Sequence, residues 1–303
     1  MNVILAYLIF PGFLFAGLIG LLATWIDRKV TARLQYRVGP PWFQPWADLL
    51  KLLGKETIVP TAGNRIVFLT APLIGLAGVV LAAVTLWPTK AGYSGDLIVV
   101  IYLLLLPAIA LMLGGSASGN PLSAIGASRE MKLILSYELP FVLVISTVIL
   151  KCGGIDLGSL TAFQAKHGWL INSFSGALSA LAALIVGQAK LGAVPFDLAE
   201  AEQELAAGAI LEYSGPALAV IKLTRAILYY IIPLFLVVLF LGGFTLTPLG
   251  MVELLVKYLI ILTIIILLKN TNPRLRIDQA LRLFWGPVTV IAAFGFILAL
   301  FGW

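Results

Sequence analysis

One cysteine and one histidine are all that this chain of 303 residues offers to a soft metal or a redox centre. Cys152 alone cannot close a disulfide within the chain, and it cannot supply the four thiolates that an iron–sulfur cluster needs. His167 alone makes a metal site here improbable. Charge is scarce as well. Only 11% of residues are Asp, Glu, Lys or Arg, against roughly 25% in a soluble domain. Apolar residues reach 61% and mean hydropathy is +1.05. These figures exclude an ordinary soluble enzyme and describe an integral membrane protein, read here as a single polytopic membrane domain over 1–303. The net charge of +6 then reflects basic loops and not a nucleic-acid partner. No nucleotide-binding loop is present. The opening MNVILAYLIFPGFLF lacks a basic segment and runs on apolar to Ile26, so it is expected to be a first transmembrane helix and not a cleaved signal peptide.

A span needs about 20 apolar residues. Windows of that kind predict an all-α fold of about eight transmembrane helices, at 3–26, 66–87, 96–113, 133–150, 171–190, 215–240, 251–268 and 283–302. No internal repeat is visible, which disfavours an inverted-repeat transporter. The loops after spans 1, 3, 5 and 7 carry fourteen Lys and Arg, Lys190 among them; the opposite side carries Lys90, Lys151 and Lys166. That asymmetry predicts that the rich side faces the cytoplasm of a prokaryotic cell membrane.

What charge there is gathers in KLGAVPFDLAEAEQELAAGAILEYSGP, residues 190–216. Asp197, Glu200, Glu202, Glu204 and Glu212 sit there between two apolar runs. Carboxylates that close to hydrocarbon are costly, about 2.5–3.5 kcal/mol each at a helix centre, and usually functional. The spacing of Asp197, Glu200 and Glu204 predicts one helical face, with Glu202 pointing elsewhere. Such a cluster suits proton uptake or relay. Helix capping by Asp197 and Glu200 accounts equally well for those two residues, but not for Glu204 and Glu212.

Two flanking loops extend the pattern. In the first, residues 27–65, Phe43, Trp46, Leu49, Leu50 and Leu53 fall on one face of an interfacial amphipathic helix. Arg33 and Arg37, expected on a shared face before the rigid Gly39-Pro40 turn, are docking candidates, whereas Lys51 and Lys55 read as surface anchors. In the second, a small-residue breaker leads into SREMKLILSYELP with Arg129, Glu130 and Glu138. Glu138, inside an apolar span, is a candidate intramembrane relay group. The last loop, KNTNPRLRIDQALRLFWGP, reads as solvated or partner-contacting, and 151–170 as a surface helix without chemistry.

Four segments now carry a resemblance: RLQYRVGPPWFQPWADLLKLLGKE, SREMKLILSYELPF, VPFDLAEAEQELAAGAILEYSGP and NPRLRIDQALRLFWGP. In order and on one side, over about 20–290, they resemble the respiratory complex I subunit 1 family. The resemblance implies a membrane subunit that docks a peripheral redox arm onto an ion-pumping membrane arm. It implies a relay of Asp197, Glu200, Glu202, Glu204 and Glu212, continued by Glu130 and Glu138, and docking through Arg33, Arg37, Trp46 and Asp48. The implied partners are peripheral iron–sulfur and hydrogenase-like subunits and antiporter-like membrane subunits. Iron–sulfur clusters and a nickel–iron centre would lie in those partners and none in this chain. Three departures from complex I stand out: Pro41-Trp42 after Arg-Val-Gly-Pro; Leu191-Gly192-Ala193-Val194 where Thr-Asn-Arg is usual; and Lys222 and Arg225 where the sixth span usually has an acid. They are similar to the branch in energy-converting membrane-bound nickel–iron hydrogenases and sulfane-sulfur-reducing complexes. The alternatives left open are a quinone-chamber subunit of NADH:quinone oxidoreductase, a sulfane sulfur reductase subunit, a stand-alone secondary transporter, and a purely structural anchor.

Overall fold

The structure, a computed structural model, describes residues 3–88, 93, 95–200 and 202–302. Lys90 and the side chain of Glu202 lie outside the described residues. The order is α1 Val3–Leu8, α2 Phe13–Leu34, α3 Gln44–Leu53, α4 Arg65–Thr85, α5 Leu97–Ala117, α6 Pro121–Cys152, α7 Leu157–His167, α8 Phe174–Lys190, α9 Glu202–Leu205, α10 Gly215–Phe240, α11 Pro248–Thr271, α12 Ile277–Leu283 and α13 Thr289–Leu300. A π-helical turn, Phe284–Val288, joins the last two into one rod. Among the described residues, seven stretches are long and apolar enough to cross a membrane. The 17-residue α8 is the shorter eighth, about 26 Å against a hydrocarbon core of about 30 Å.

Two expected boundaries are wrong in an informative way. The first span is not continuous over 3–26. Pro11 has no N–H to give to a helix, so α1 ends in a turn at Phe10–Pro11, and α2 restarts at Phe13 and runs on to Leu34. The fourth does not begin at 133. Asn120 caps the N–H of Leu122, Pro121 takes the first helical position, and α6 runs 32 residues, about 48 Å. About 18 Å of it therefore projects beyond the hydrocarbon. The stretch SREMKLILSYE, a loop by sequence, is that projecting helix.

At the centre stands α10, buried at every residue from Tyr230 to Phe240. It packs on α2, α4, α8 and α11, while α6 joins α5, α8 and α13. Internal prolines interrupt four of the described spans: Pro72 in α4, Pro107 in α5, Pro140 in α6 and Pro233 in α10. Each leaves the carbonyl four residues earlier without its helical donor. Two of these carbonyls are met by buried tyrosines. Tyr213 Oη donates to Phe68 O at 2.9 Å, four residues before Pro72, and Tyr258 Oη donates to Tyr229 O at 3.1 Å, four before Pro233. At these two prolines the kink is made without leaving an orphaned acceptor in hydrocarbon.

As the sequence indicated, Gln44–Leu53 is an amphipathic helix and Leu157–His167 a surface helix.

Candidate functional site

A cavity of about 50 Å³ lies where α4, α5 and α10 meet the chain leaving α8. A water needs roughly 10–15 Å³ of such space, so it has room for a few waters. Pro72 and Pro107, the kink residues of α4 and α5, form one wall. The other is polar, with Glu130, Lys190, Asp197, Glu200, Tyr213, Thr224 and Arg225.

The acids around it are placed by partners far away in sequence. Lys190 Nζ is 2.5 Å from Glu138 Oε1, across α8 and α6. That ammonium is 2% exposed and lies 4.4 Å from the Phe141 ring centroid and 4.7 Å from that of Tyr137. Glu200 is forked by the Arg225 guanidinium from α10. Asp197 pairs with Arg274, which follows α11. Glu204 pairs with Arg129 of α6 at 2.6 Å. Glu130 is buried and, among the described residues, no hydrogen bond or ion pair holds it. From Glu204 to Glu138 the charges form a row of alternating sign, running from an exposed loop to the membrane interior.

This row is not the single helical face that the spacing predicted. Residues 191–200 are turns, helix resumes only over Glu202–Leu205, and Asp197 and Glu200 cap nothing. Pro195 and Pro-Phe-Asp turn geometry keep this stretch from winding, and Ala206 (φ 50), Ala207 (φ 88) and Gly208 (φ 49) then reverse it. Gly126 of α6 makes the seating possible. A Cβ there would stand 2.4 Å from Ala209 N and 2.7 Å from Ala199 O. Ser123 Oγ secures the same contact by donating to Gly115 O at 3.0 Å or Ala209 O at 3.2 Å. Glu212 accepts from Asn120 Nδ2 at 2.6 Å, bridging the acidic loop to the break before α6.

Electrostatics differ along the row outside the spans. Burial lifts Asp197 above its ordinary carboxylate value, and the hydrogen bond from Arg274 only partly offsets this. Its Oδ1 is buried without a partner. Glu204 is instead held low by the hydrogen bond from Arg129. Its side chain is 57% exposed, so it is a surface residue and not one set in an apolar context as expected.

The docking candidates lie apart from the cavity. Asp48 accepts from Arg28 at 2.8 Å and from Gln44 at 2.8 Å, clipping α3 to the end of α2. Arg28 is the first cause of the low value of the Asp48 carboxyl. Trp46 packs edge-on against Trp42, with ring centroids 5.8 Å apart. Arg33 and Arg37 do not share a helical face, because α2 ends at Leu34 and the chain turns at Tyr36 (φ 57) before Arg37. Around them Tyr36, Val38, Trp42, Phe43 and Ile58 are exposed, a set of apolar side chains on loops.

Sequence reasoning misses the cations. Lys190, a loop charge by sequence, is buried, and Arg274, in a loop that reads as solvated, holds Asp197. Asp27 also escapes it, 7% exposed and paired at 2.6 Å with Lys269 across α2 and α11. The available signal is charge within or at the edge of apolar runs, as at Arg225.

Comparison with known proteins places this arrangement. A family model described as NADH dehydrogenase matches residues 6–300. A membrane subunit of the NADH-quinone oxidoreductase of Thermomicrobium roseum is 36% identical, over 94% of this chain and 92% of that protein. NADH-quinone oxidoreductase subunit 8 of Thermus thermophilus is 34% identical, over 91% of this chain and 80% of its own length. Among solved structures, a chain of the membrane-bound sulfane sulfur reductase, an archaeal respiratory membrane complex, superposes with a TM-score of 0.86. It is 34% identical, covering 94% of this chain and 96% of that one.

Proposed function

This chain belongs to the NADH dehydrogenase family, the subunit 1 membrane proteins of complex I-like assemblies, and from that premise we propose that it is the coupling subunit of a redox-driven ion pump. The observation that carries the reading is the row of paired carboxylates beginning at exposed Glu204 and ending at Glu138 beside a hydrated cavity. One end meets the loops on which an iron–sulfur arm docks, through Arg33, Arg37, Trp46, Asp48 and the apolar side chains around them. The other end comes near the outside of the bundle. Glu138 is 24% exposed, beside exposed Leu135, Leu139 and Val142 on α6, where an antiporter-like subunit can feel its charge.

Magnitudes support the mechanism. Two unit charges 4 Å apart interact by about 4 kcal/mol at an effective dielectric of about 20. One charge crossing 100 mV costs about 2.3 kcal/mol. Breaking or remaking one pair in the row is therefore enough to bias the movement of one ion. Electrons travel in partner subunits, which hold the iron–sulfur clusters and the nickel–iron or sulfur-reducing centre. Reduction next to the cytoplasmic loops changes the local field, and the carboxylates respond by shifting protons. The cytoplasmic placement of these loops rests on the asymmetry of Lys and Arg.

Glu200→Gln and Glu138→Gln, made in the complex, should leave electron transfer in place and lower ion translocation per electron towards background. Unchanged coupling in both variants overturns the relay. A second reading, a subunit lining a quinone chamber, draws on the names of the bacterial relatives. Purification in mild detergent separates the two. Nickel with iron marks the hydrogenase branch, iron without nickel or flavin marks a sulfur reductase, and flavin with quinone marks NADH:quinone oxidoreductase. Purification of a lone, transport-active chain would sink the coupling role.

A further inference from the structure

Arg225 has two carboxylates within electrostatic reach and binds one of them. It forks onto Glu200, while Glu130, also interacting with Arg225, lines the same cavity with no pair of its own among the described residues. Two acids, one guanidinium and room for a few waters are the elements of an exchange. We propose that Arg225 is a two-position element that swings between Glu200 and Glu130, so that the carboxylate it leaves takes up the proton that the other releases.

This inference rests on the coupling role above and names the step within it. In the state observed, Arg225 neutralises Glu200, and Glu130, 8% exposed in an apolar setting, carries the proton. When Arg225 turns to Glu130, that acid ionises, its proton passes through cavity water, and Glu200 accepts it. One O–H bond breaks and one forms, the count of charges is unchanged, and no oxidant or reductant is needed. The proton has moved from the α6 wall of the cavity to the loop wall. Arg225 reacts with nothing itself; it is a positioning residue.

The geometry favours Arg225 over the other cations for this work. Lys190 is 2% exposed and enclosed by Glu138 and two aromatic rings. Arg274 sits on Asp197, farther along the loop. Arg225 is 30% exposed, the Glu200 side chain 17%, and both border the cavity, so the guanidinium has space in which to turn. An arginine suits the task because it stays charged in either position while binding each carboxylate in a fork.

The test is redox-triggered infrared difference spectroscopy on the purified complex containing this chain. On reduction, one protonated-carboxyl band should disappear and another should appear. Glu130→Gln should delete the first, Glu200→Gln the second, and Glu138→Gln neither. Arg225→Lys should keep both bands, shifted. Arg225→Gln should abolish the paired change, and the double variant Arg225→Gln with Glu200→Gln, which leaves no unpaired buried charge, guards against loss of folding. If Glu130→Gln leaves the difference bands intact, the exchange is overturned. Ion translocation per electron, measured on the same samples, judges the relay separately: lost coupling with unaltered bands overturns the exchange alone, and unaltered coupling overturns both.

Discussion

Removing either half of the Lys190–Glu138 pair should destabilise the chain, and the two halves should not cost the same. The ammonium is 2% exposed and its partner carboxylate 24%. Breaking a buried pair from one side costs about 3–5 kcal/mol, because a charge is left without compensation. In Glu138→Gln the stranded charge is the ammonium, enclosed by Tyr137 and Phe141. Cation–π attraction of about 2 kcal/mol retains part of it, but no water replaces the carboxylate, so the loss belongs near the upper end. In Lys190→Met the stranded charge is the carboxylate, which can turn towards its exposed side or take a proton, so the loss belongs near the lower end or below. Lys190→Met with Glu138→Gln strands neither and should recover most of the larger loss, giving a coupling of about 2–3 kcal/mol. Hydrogen exchange of α6 and α8 peptides in the intact complex reports the opening free energy of this region. Equal costs, a reversed order or simple additivity would refute the placement of the charge.

Further outcomes follow from other contacts. Tyr213→Phe keeps the ring stacked on Phe68, with centroids 4.1 Å apart, but removes the donor to Phe68 O. It should cost about 0.6–1.7 kcal/mol, read by thermal unfolding, and a loss of several kcal/mol would mean that the stack and not the hydrogen bond has failed. Gly126→Ala should push Ala199 and Ala209 away from α6 and abolish coupling while the chain still inserts; retained coupling would show that the loop's seating is not needed. Asp197 has its carboxyl lifted by burial, so the folded chain holds that proton to higher pH than the unfolded chain does. Its contribution is complete below its ordinary value of 3.8 and fades as pH rises through the folded value. Asp197→Asn should flatten that part of the pH–stability profile, and an unchanged slope would count against the burial.

How legible all this was depended on the range of the interaction. Apolar runs, prolines and caps act over a few residues, so the spans, the amphipathic helix at Gln44–Leu53 and the identity of the acidic stretch could all be read. The pairs could not. Glu138 finds Lys190 52 positions on, and Asp27 finds Lys269 242 positions on, through the packing of helices that periodicity leaves undetermined. Periodicity also misled at Asp197, Glu200 and Glu204. The rule of three and four holds only where the backbone winds, and positive φ at Ala206 and Ala207 is a tertiary outcome that alanine itself does not announce. Arg37 failed for the same reason one turn past the end of α2.

The tyrosine–proline pairs have an evolutionary consequence. Were Pro72 replaced by alanine, the new backbone N–H would reclaim the Phe68 carbonyl, and the Tyr213 hydroxyl would become the unsatisfied group. Were Tyr213 lost first, the carbonyl would be left bare. Either single step passes through a poorly bonded intermediate, and only both together reach a satisfied straight helix. The same holds for Pro233 and Tyr258. In lineages of this protein, each kink and its tyrosine should therefore be inherited as one character, kept together or lost together, so that the bend of a helix in one part of the chain is recorded in a residue far from it.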